Sequence, residues 1–347
     1  MSRVYISLVT ILSFAFFSCR SINVIDIETY NPSSITFPKE IKTVMIVNNS
    51  AQQPDNVGHS YIDAKEEISY KSISTDSMAY FLCMSLGKAL IESPRFDDVR
   101  MCDDTIRRDS FFYDVRPISP SEVDSYCRDY GVDALISLDK LFFKTFFFDA
   151  RDFYNKIITV EITGEIKALW PGQKEMYSIP FNDSLVWNME GNNFLWSITE
   201  VLSESDVKVA MKYSSEYIGN EMYTSFVPYW TNEKRWYYKN FSSEWKRGTV
   251  YAAVEKWDEA LNVWMSLYEK TNKWVRKAEL SSNIALCYEM IGNFDKAVEY
   301  AEVSYNLFKE NEREKENNMY INAQNYYFEV LKKRKEDDKM LSGQLGE

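Results

Sequence analysis

The first residues with a definite chemistry stand at the N-terminus, where Ser18-Cys19 closes an almost wholly apolar stretch, Val4 to Phe17, behind the cation Arg3. A basic start followed by an apolar run too short to span a bilayer is an export signal. A small residue before a cysteine is what a lipoprotein signal peptidase needs in order to cut and leave a thiol that can carry a thioether lipid. Residues 1–18 are therefore expected to be a signal peptide and Cys19 the lipidation site. Phe16 and Phe17 depart from the Leu and the small residue common in such boxes. The alternative is an ordinary secretory signal cut nearby, with Cys19 left as a free or paired thiol.

Elsewhere the reactive residue types do not combine. Any Ser-His-Asp or Cys-His catalyst would have to use the one histidine, His59, which falls in a polar loop. The zinc motif H-E-x-x-H, the phosphate loop G-x-x-x-x-G-K-[ST] and the nucleophile elbow G-x-S-x-G are absent. S-x-x-K occurs at Ser85/Lys88 but again at Ser137/Lys140, Ser205/Lys208 and Ser243/Lys246, a scatter expected of chance. Asp97/Asp98 and Asp103/Asp104 offer the paired carboxylates of a glycosidase, yet adjacent strand residues point to opposite faces. Cys83, Cys102, Cys127 and Cys287 contain no C-x-x-C pair, so no metal is expected, and they read as buried thiols, with one bridge among the first three as the alternative. The sequence reads as a protein that is not an enzyme and needs no cofactor.

The elements that would position these residues divide the chain. Hydrophobic residues make up 45% and charged residues 27%, spread along the sequence, which is a folding rather than a disordered composition. A net charge of −12 argues against nucleic acid as a partner and against anionic lipid heads. Residues 19–40 read as a tether with a possible edge strand, Ile22 to Thr29. Residues 41–190 read as an α/β domain: Lys42 to Asn48 as a buried strand, Ser74 to Glu92 as a helix closed by Pro94, and a second helix opened by Ser119-Pro120 and ended by Gly131. Ile158, Val160, Ile162, Ile166 and Ala168 alternate with polar residues as a half-buried strand does, and Tyr177, Ile179 and Phe181 continue the pattern after Pro171-Gly172.

Residues 191–240 read as a helical connector, and 241–340 carry an internal repeat. Gly248, Tyr251, Trp257, Asp258 and Ala260 recur 37 residues later as Ala285, Tyr288, Phe294, Asp295 and Ala297. These fit the small and aromatic positions of tetratricopeptide helix pairs, with the extra residues near Thr271 to Trp274 falling between units. A last helix, Asn317 to Lys335, should cap the stack, and 341–347 should fray. The fold class is thus α+β: an N-terminal mixed, largely antiparallel sheet with helices on one side, followed by a C-terminal all-helical tetratricopeptide-like domain. The groove register places Trp245, Thr249, Ala252, Leu286, Glu289 and Met290 as partner-binding residues. With no Lys or Arg among the groove positions, it suits a hydrophobic or basic protein segment. Burial of Trp245 in the core is the competing reading, and the aromatic cluster from Tyr229 to Trp245 reads as packing between the domains.

In the segments Pro228-Tyr229-Trp230, Arg235-Trp236-Tyr237-Tyr238, Lys256-Trp257-Asp258-Glu259-Ala260 and Trp264, the chain resembles uncharacterised lipoproteins of Bacteroidota-type bacteria, in which a lipid-anchored α/β domain precedes tetratricopeptide-like helices. The α/β half is also similar to the domain of curli-secretion lipoproteins and of the TolB N-terminus, a likeness of fold alone. The resemblance implies an outer-membrane lipoprotein, attached through lipid on Cys19, and no reaction. Arg20-Ser21-Ile22-Asn23 lacks the acidic residues that signal surface display in that wider class, which favours the periplasmic face. Two functions follow: a scaffold whose helical repeats bind another envelope protein or, as the alternative, a glycan-binding or glycan-acting protein using the loop Asn48 to Ser60 and nearby carboxylates.

Overall fold

The computed structural model describes residues 21–62, 67–107, 109–149, 155–190, 203–312 and 318–345, and only the backbone at 103, 104, 148, 149, 155, 156, 189 and 190. The expected signal peptide and Cys19 lie outside the described residues, and with them 191–202 of the expected connector. The protein is α+β. Its chain divides into two compact units: one is Ser33–Tyr229, and the other combines the N-terminal strand β1 (Ser21–Asn31) with Trp230–Leu345. Among the described residues no helix is long and apolar enough to cross a membrane.

The first unit is a mixed sheet built on one long strand. Strand β2 (Thr43–Asn48) is the buried run expected from its composition, with Val44, Met45, Ile46 and Val47 at most 1% exposed. Strands β3 (His59–Ile62), β4 (Ile68–Tyr70), β5 (Asp98–Thr105), β6 (Ala134–Asp149), β7 (Asn155–Leu169) and β8 (Tyr177–Glu190) complete the sheet. β6 pairs along its length with antiparallel β7, while its other edge receives β2 and then β3, both parallel; β5 adds to β2, β4 to β3 and β8 to β7.

The alternation read from β7 is the inner face of this sheet: Ile158, Val160, Ile162, Ile166 and Ala168 are fully buried. The gap in that series is Gly164, which is required because a Cβ there would stand 2.2 Å from the Phe181 ring. Helices α1 (Met78–Ile91) and α3 (Glu204–Met222) cover that face. Helix α2 (Pro120–Tyr130) is opened by a Ser119/Glu122 capping box and closed by Gly131 at φ 61°. It packs Val123 and Cys127 on the opposite face, against Met45, Val47 and Leu135. Helices on one side therefore describes α1 and α3 but not α2. Because β2 is buried on both faces, each face needs a cover.

The second unit corrects the expected boundaries. Residues 229–239, read as part of a helical connector, are a strand, β9 (Tyr229–Lys239), and its partner is β1. Contacts Asn23–Tyr237, Asp26–Lys234, Thr29–Thr231 and Tyr30–Trp230 run in opposite directions along the two strands, so the ribbon is antiparallel. β1 is thus no edge strand of the α/β sheet. The absence of proline after Pro228 permitted a helix, but alternation along Trp230-Thr231-Asn232-Glu233-Lys234-Arg235 suits a strand.

Five helices follow: α4 (Ser243–Ala253), α5 (Trp257–Lys270), α6 (Trp274–Met290), α7 (Phe294–Asn311) and α8 (Met319–Leu345). Trp257 and Phe294, matched by the repeat, are the first residues of α5 and α7, and Ala260 and Ala297 are fully buried. Helix α8 runs on to Leu345 where fraying was expected. Before that end Lys335 pairs with Asp295 on α7, and Leu341 and Leu345 line a cleft.

The small repeat position Gly248 lies under the Trp264 indole, and a Cβ there would meet Nε1 at 2.4 Å. Helix propensity alone would make Gly248→Ala stabilising by about 1 kcal/mol. Overpacking reverses the sign, and we expect urea unfolding to show a loss of about 1–3 kcal/mol. A gain in stability would show that the two helices do not meet at this residue.

Candidate functional site

The groove that the repeat register outlines is filled by the chain's own strand. β9 lays Arg235-Trp236-Tyr237-Tyr238 against α4, α6 and α8, and Tyr237 and Tyr238 join Trp245, Leu280, Ile284 and Leu286 in the core. The clasp is made to the backbone. Asn283 accepts from the Tyr238 amide at 2.7 Å and donates to the Tyr238 carbonyl at 2.9 Å, while Trp245 Nε1 donates to that same carbonyl at 2.8 Å. Gln324 donates to the Tyr238 hydroxyl at 3.0 Å and accepts from Ser304 at 3.0 Å. Main-chain hydrogen bonds combined with side-chain pockets are the way grooves hold extended peptides.

Beside this clasp lies a buried ionic network. Arg235 reaches Glu289 through Nε and Nη2 at 2.9–3.1 Å, with both side chains nearly inaccessible. Arg334 adds a contact to Glu289 at 2.7 Å, the Tyr327 hydroxyl donates to its other oxygen at 2.8 Å, and Glu233 takes Arg235 Nη2 at 2.7 Å. Two guanidinium groups and two carboxylates leave no net charge, with Arg235 and Glu289 buried and Glu233 and Arg334 reaching toward the surface. Burial works against the Arg235 charge, but Glu289 outweighs it, so the guanidinium is held above its ordinary pKa. Burial, reinforced by Glu289, holds the Tyr327 hydroxyl well above its usual range. Tyr327 also packs on Trp236, with ring centroids 5.4 Å apart.

The residues expected to face a partner are consequently placed otherwise. Trp245 is fully buried within its own unit, Ala252 and Leu286 are buried, Thr249 turns its hydroxyl to the Trp245 carbonyl, and Glu289 is consumed by Arg235. Those five do not form an open surface, because strand β9 already supplies the hydrophobic and basic segment that the groove suits. Tyr237, Tyr238 and Trp245 are likewise core of this unit, where packing between domains was expected. Nothing local in the sequence marks Arg235, Asn283, Gln324, Tyr327 or Arg334 as members of this site. The usable signal is Glu289 itself, an acid at a groove position with no Lys or Arg at the other groove positions.

An open cleft of about 350 Å³ remains beside the filled groove. Met290 lines it, with Glu28, Tyr30, Trp230, Phe294, Arg334 and Leu341. Tyr30 and Trp230 pack at 4.8 Å between centroids across the ribbon, and Trp230 stays 64% exposed. An apolar floor with a charged rim, carrying an exposed Trp, a Tyr and an Arg, has the composition of a protein-binding hot spot.

In the α/β unit the loop Asn48 to Ser60 turns most of its polar groups inward. Gln53 pairs with both backbone groups of Phe143, and Asn49 donates to Asp139, whose carboxylate also takes Ser137 and Lys167 in a buried cluster. His59 is buried, with Nδ1 2.8 Å from the Thr145 hydroxyl, and burial holds its pKa below the ordinary value against the pull of Asp55. Asp98 is taken by Arg100 at the surface. Cys83, Cys102, Cys127 and Cys287 form no disulfide; burial pushes Cys83 up to about 12, and burial together with Asp124 and Asp133 takes Cys127 to about 11. Among the described residues no three His, Cys, Asp or Glu side chains gather as metal ligands would.

Fold and site together define an α+β protein with a self-filled helical array. Comparison places the chain in the family described as Domain of unknown function (DUF8603), which matches residues 41–238, more than half of its length. A second family, Domain of unknown function (DUF6340), matches residues 246–333 within the helices. No curated protein matches. Among solved structures the chain is similar to one titled "Crystal structure of uncharacterized protein", at 12% identity over 53% of this chain and 99% of that one, with a TM-score of 0.25.

Glu289 is the shared acceptor of Arg235, Arg334 and Tyr327, so Glu289→Ala takes from the buried Arg235 its bidentate partner and leaves it only Glu233 as counter-charge. We expect a loss of about 3–5 kcal/mol in urea unfolding. Replacing the pair together, Arg235→Met with Glu289→Leu, should recover most of it. A loss below about 1 kcal/mol for Glu289→Ala, typical of an exposed pair, would show that the network is wet.

Proposed function

We propose that this protein is an envelope lipoprotein, acylated at Cys19 and held on the periplasmic face of the outer membrane, that acts as a protein-binding scaffold. The observation carrying the binding role is the cleft around Tyr30 and Trp230. A tryptophan left 64% exposed beside a Tyr, Met290 and Phe294 gains more from a protein partner than from water. The tetratricopeptide-like array contributes rigidity, since its groove is spent on fixing β9. Of the six groove positions, Met290 lines the open cleft, beside Glu289, whose carboxylate is buried. The partner suited to it presents an apolar anchor flanked by charge of either sign, because Arg334 stands on the rim with Glu28 and Asp338. The role requires no reaction, cofactor or metal, and an acidic chain is suited to a protein rather than a nucleic-acid partner. The resemblance to lipid-anchored proteins of the same layout supports the location.

Two measurements test the reading separately. Cys19→Ala should abolish incorporation of a fatty-acid analogue and release the protein from membranes, since only the thiol can carry the thioether; label persisting on the variant would remove Cys19 as the anchor. A photo-crosslinker at position 230 should trap a defined envelope protein in cells, whereas one at exposed Val250 on α4 should not. Trp230→Ala should reduce recovery of that same protein about tenfold or more, as loss of a hot-spot aromatic does, without shifting the melting temperature. Equal trapping from both positions would remove the cleft as the binding site.

A further inference from the structure

Strand β9 has a second end, about 30 Å from Trp230 at the usual rise per strand residue, and the surface there differs from the rest of this acidic chain. Ser21, the first residue of β1, lines a cleft of about 590 Å³ together with Lys239, Phe241, Lys273, Trp274 and Arg276. Phe241 is 90% exposed, more than the other large apolar side chains among the described residues. The three cations face a single acid in the lining, Glu279, which is itself buried. Helix α6 begins at the same place with no acidic residue in its first turn and no side-chain cap, so its N-terminal N–H groups add to the positive field. Only Arg20 separates Ser21 from Cys19, so the two-residue step spans about 7 Å at full extension.

We infer that this face is a phospholipid-docking surface. Phe241 enters the boundary between headgroups and acyl chains, and Lys239, Lys273 and Arg276 pair with headgroup phosphates, holding the helical unit against the leaflet. An exposed aromatic flanked by cations is the composition of an interfacial anchor, and stable attachment takes two signals, of which an acyl chain is one and a basic patch the other. The position of the face beside the bilayer rests on acylation of Cys19, proposed above; its affinity for lipid does not. The net charge of −12 opposes binding to anionic membranes everywhere else, which directs the contact to this end of the ribbon.

The test uses the mature chain with Cys19→Ala, which retains every described residue and carries no acyl group, and vesicles of equal parts phosphatidylethanolamine and phosphatidylglycerol. The chain should cosediment with these vesicles, and binding should weaken as salt is raised. Lys273→Glu with Arg276→Glu should reduce the partition coefficient at least about 25-fold, at roughly fivefold for each cation near an anionic surface. Phe241→Ala should reduce it also, with no change in melting temperature because the ring is already in water, and Trp230→Ala at the other end should leave it unchanged. Absence of vesicle binding by the parent, or equal binding by the parent and both variants, would overturn the inference. Binding retained while the fatty-acid label fails to reach Cys19 would sustain the surface and remove the anchor. Label on Cys19 without vesicle binding would do the reverse.

Discussion

A carboxylate with no access to water has to be answered by a cation, and in this protein the second unit is organised around that requirement. Glu289 is fully buried on α6, and the cation that meets it in bidentate geometry, Arg235, comes from a strand that precedes all five helices. Once Arg235 is in place, Trp236, Tyr237 and Tyr238 are carried into the groove, and Asn283 and Trp245 close on the Tyr238 backbone. The same strand then offers its free edge to β1, which brings the first described residues of the chain into contact with the last helix. One ion pair thus specifies register: sliding β9 by a single residue would turn Arg235 out of the groove and strand the carboxylate.

The first unit depends on a different constraint, the length of β6. Sixteen residues give one strand room for β7 along one side and for β2 and then β3 along the other. Where β2 gives way to β3, the buried group of Asp139, Ser137, Lys167 and Asn49 fastens the departing loop to the sheet. The polar residues of that loop are spent on structure, and so is the histidine. Asn49, Gln53 and His59 each find a partner within the protein, so the loop is fixed by its own polar side chains.

How far the sequence could be read follows the range of the interactions involved. The β7 alternation, the Ser119/Glu122 capping box, Gly131, and the spacing from Trp257 to Phe294 are all local patterns, and each marks an observed element. The ribbon was invisible because its strands lie some two hundred residues apart, as Asn23 and Tyr237 do, and neither carries the signature of its partner. Residues 229–239 therefore read from sequence as part of the helical region around them. The candidate site was half legible: an acidic groove lined by Trp245, Leu286 and Met290 calls for a basic aromatic segment, and Arg235-Trp236-Tyr237-Tyr238 is such a segment, but sequence alone does not say that the ligand is in the same chain. Helix α8 continues through 341–345 where the sequence predicts fraying, and no local pattern in those residues marks the continuation.

The antiparallel ribbon also has a mechanical character. The chain enters β1 at Ser21 and leaves it at Asn31, while β9 runs back alongside it and is clamped to the helices through Arg235 and Tyr238. Ser21 and Lys239 lie at the same end of the ribbon, beside the Arg235 and Tyr238 clamps, so a force that draws the N-terminus away from the helices loads the outermost cross-strand pair first and opens the ribbon pair by pair from that end.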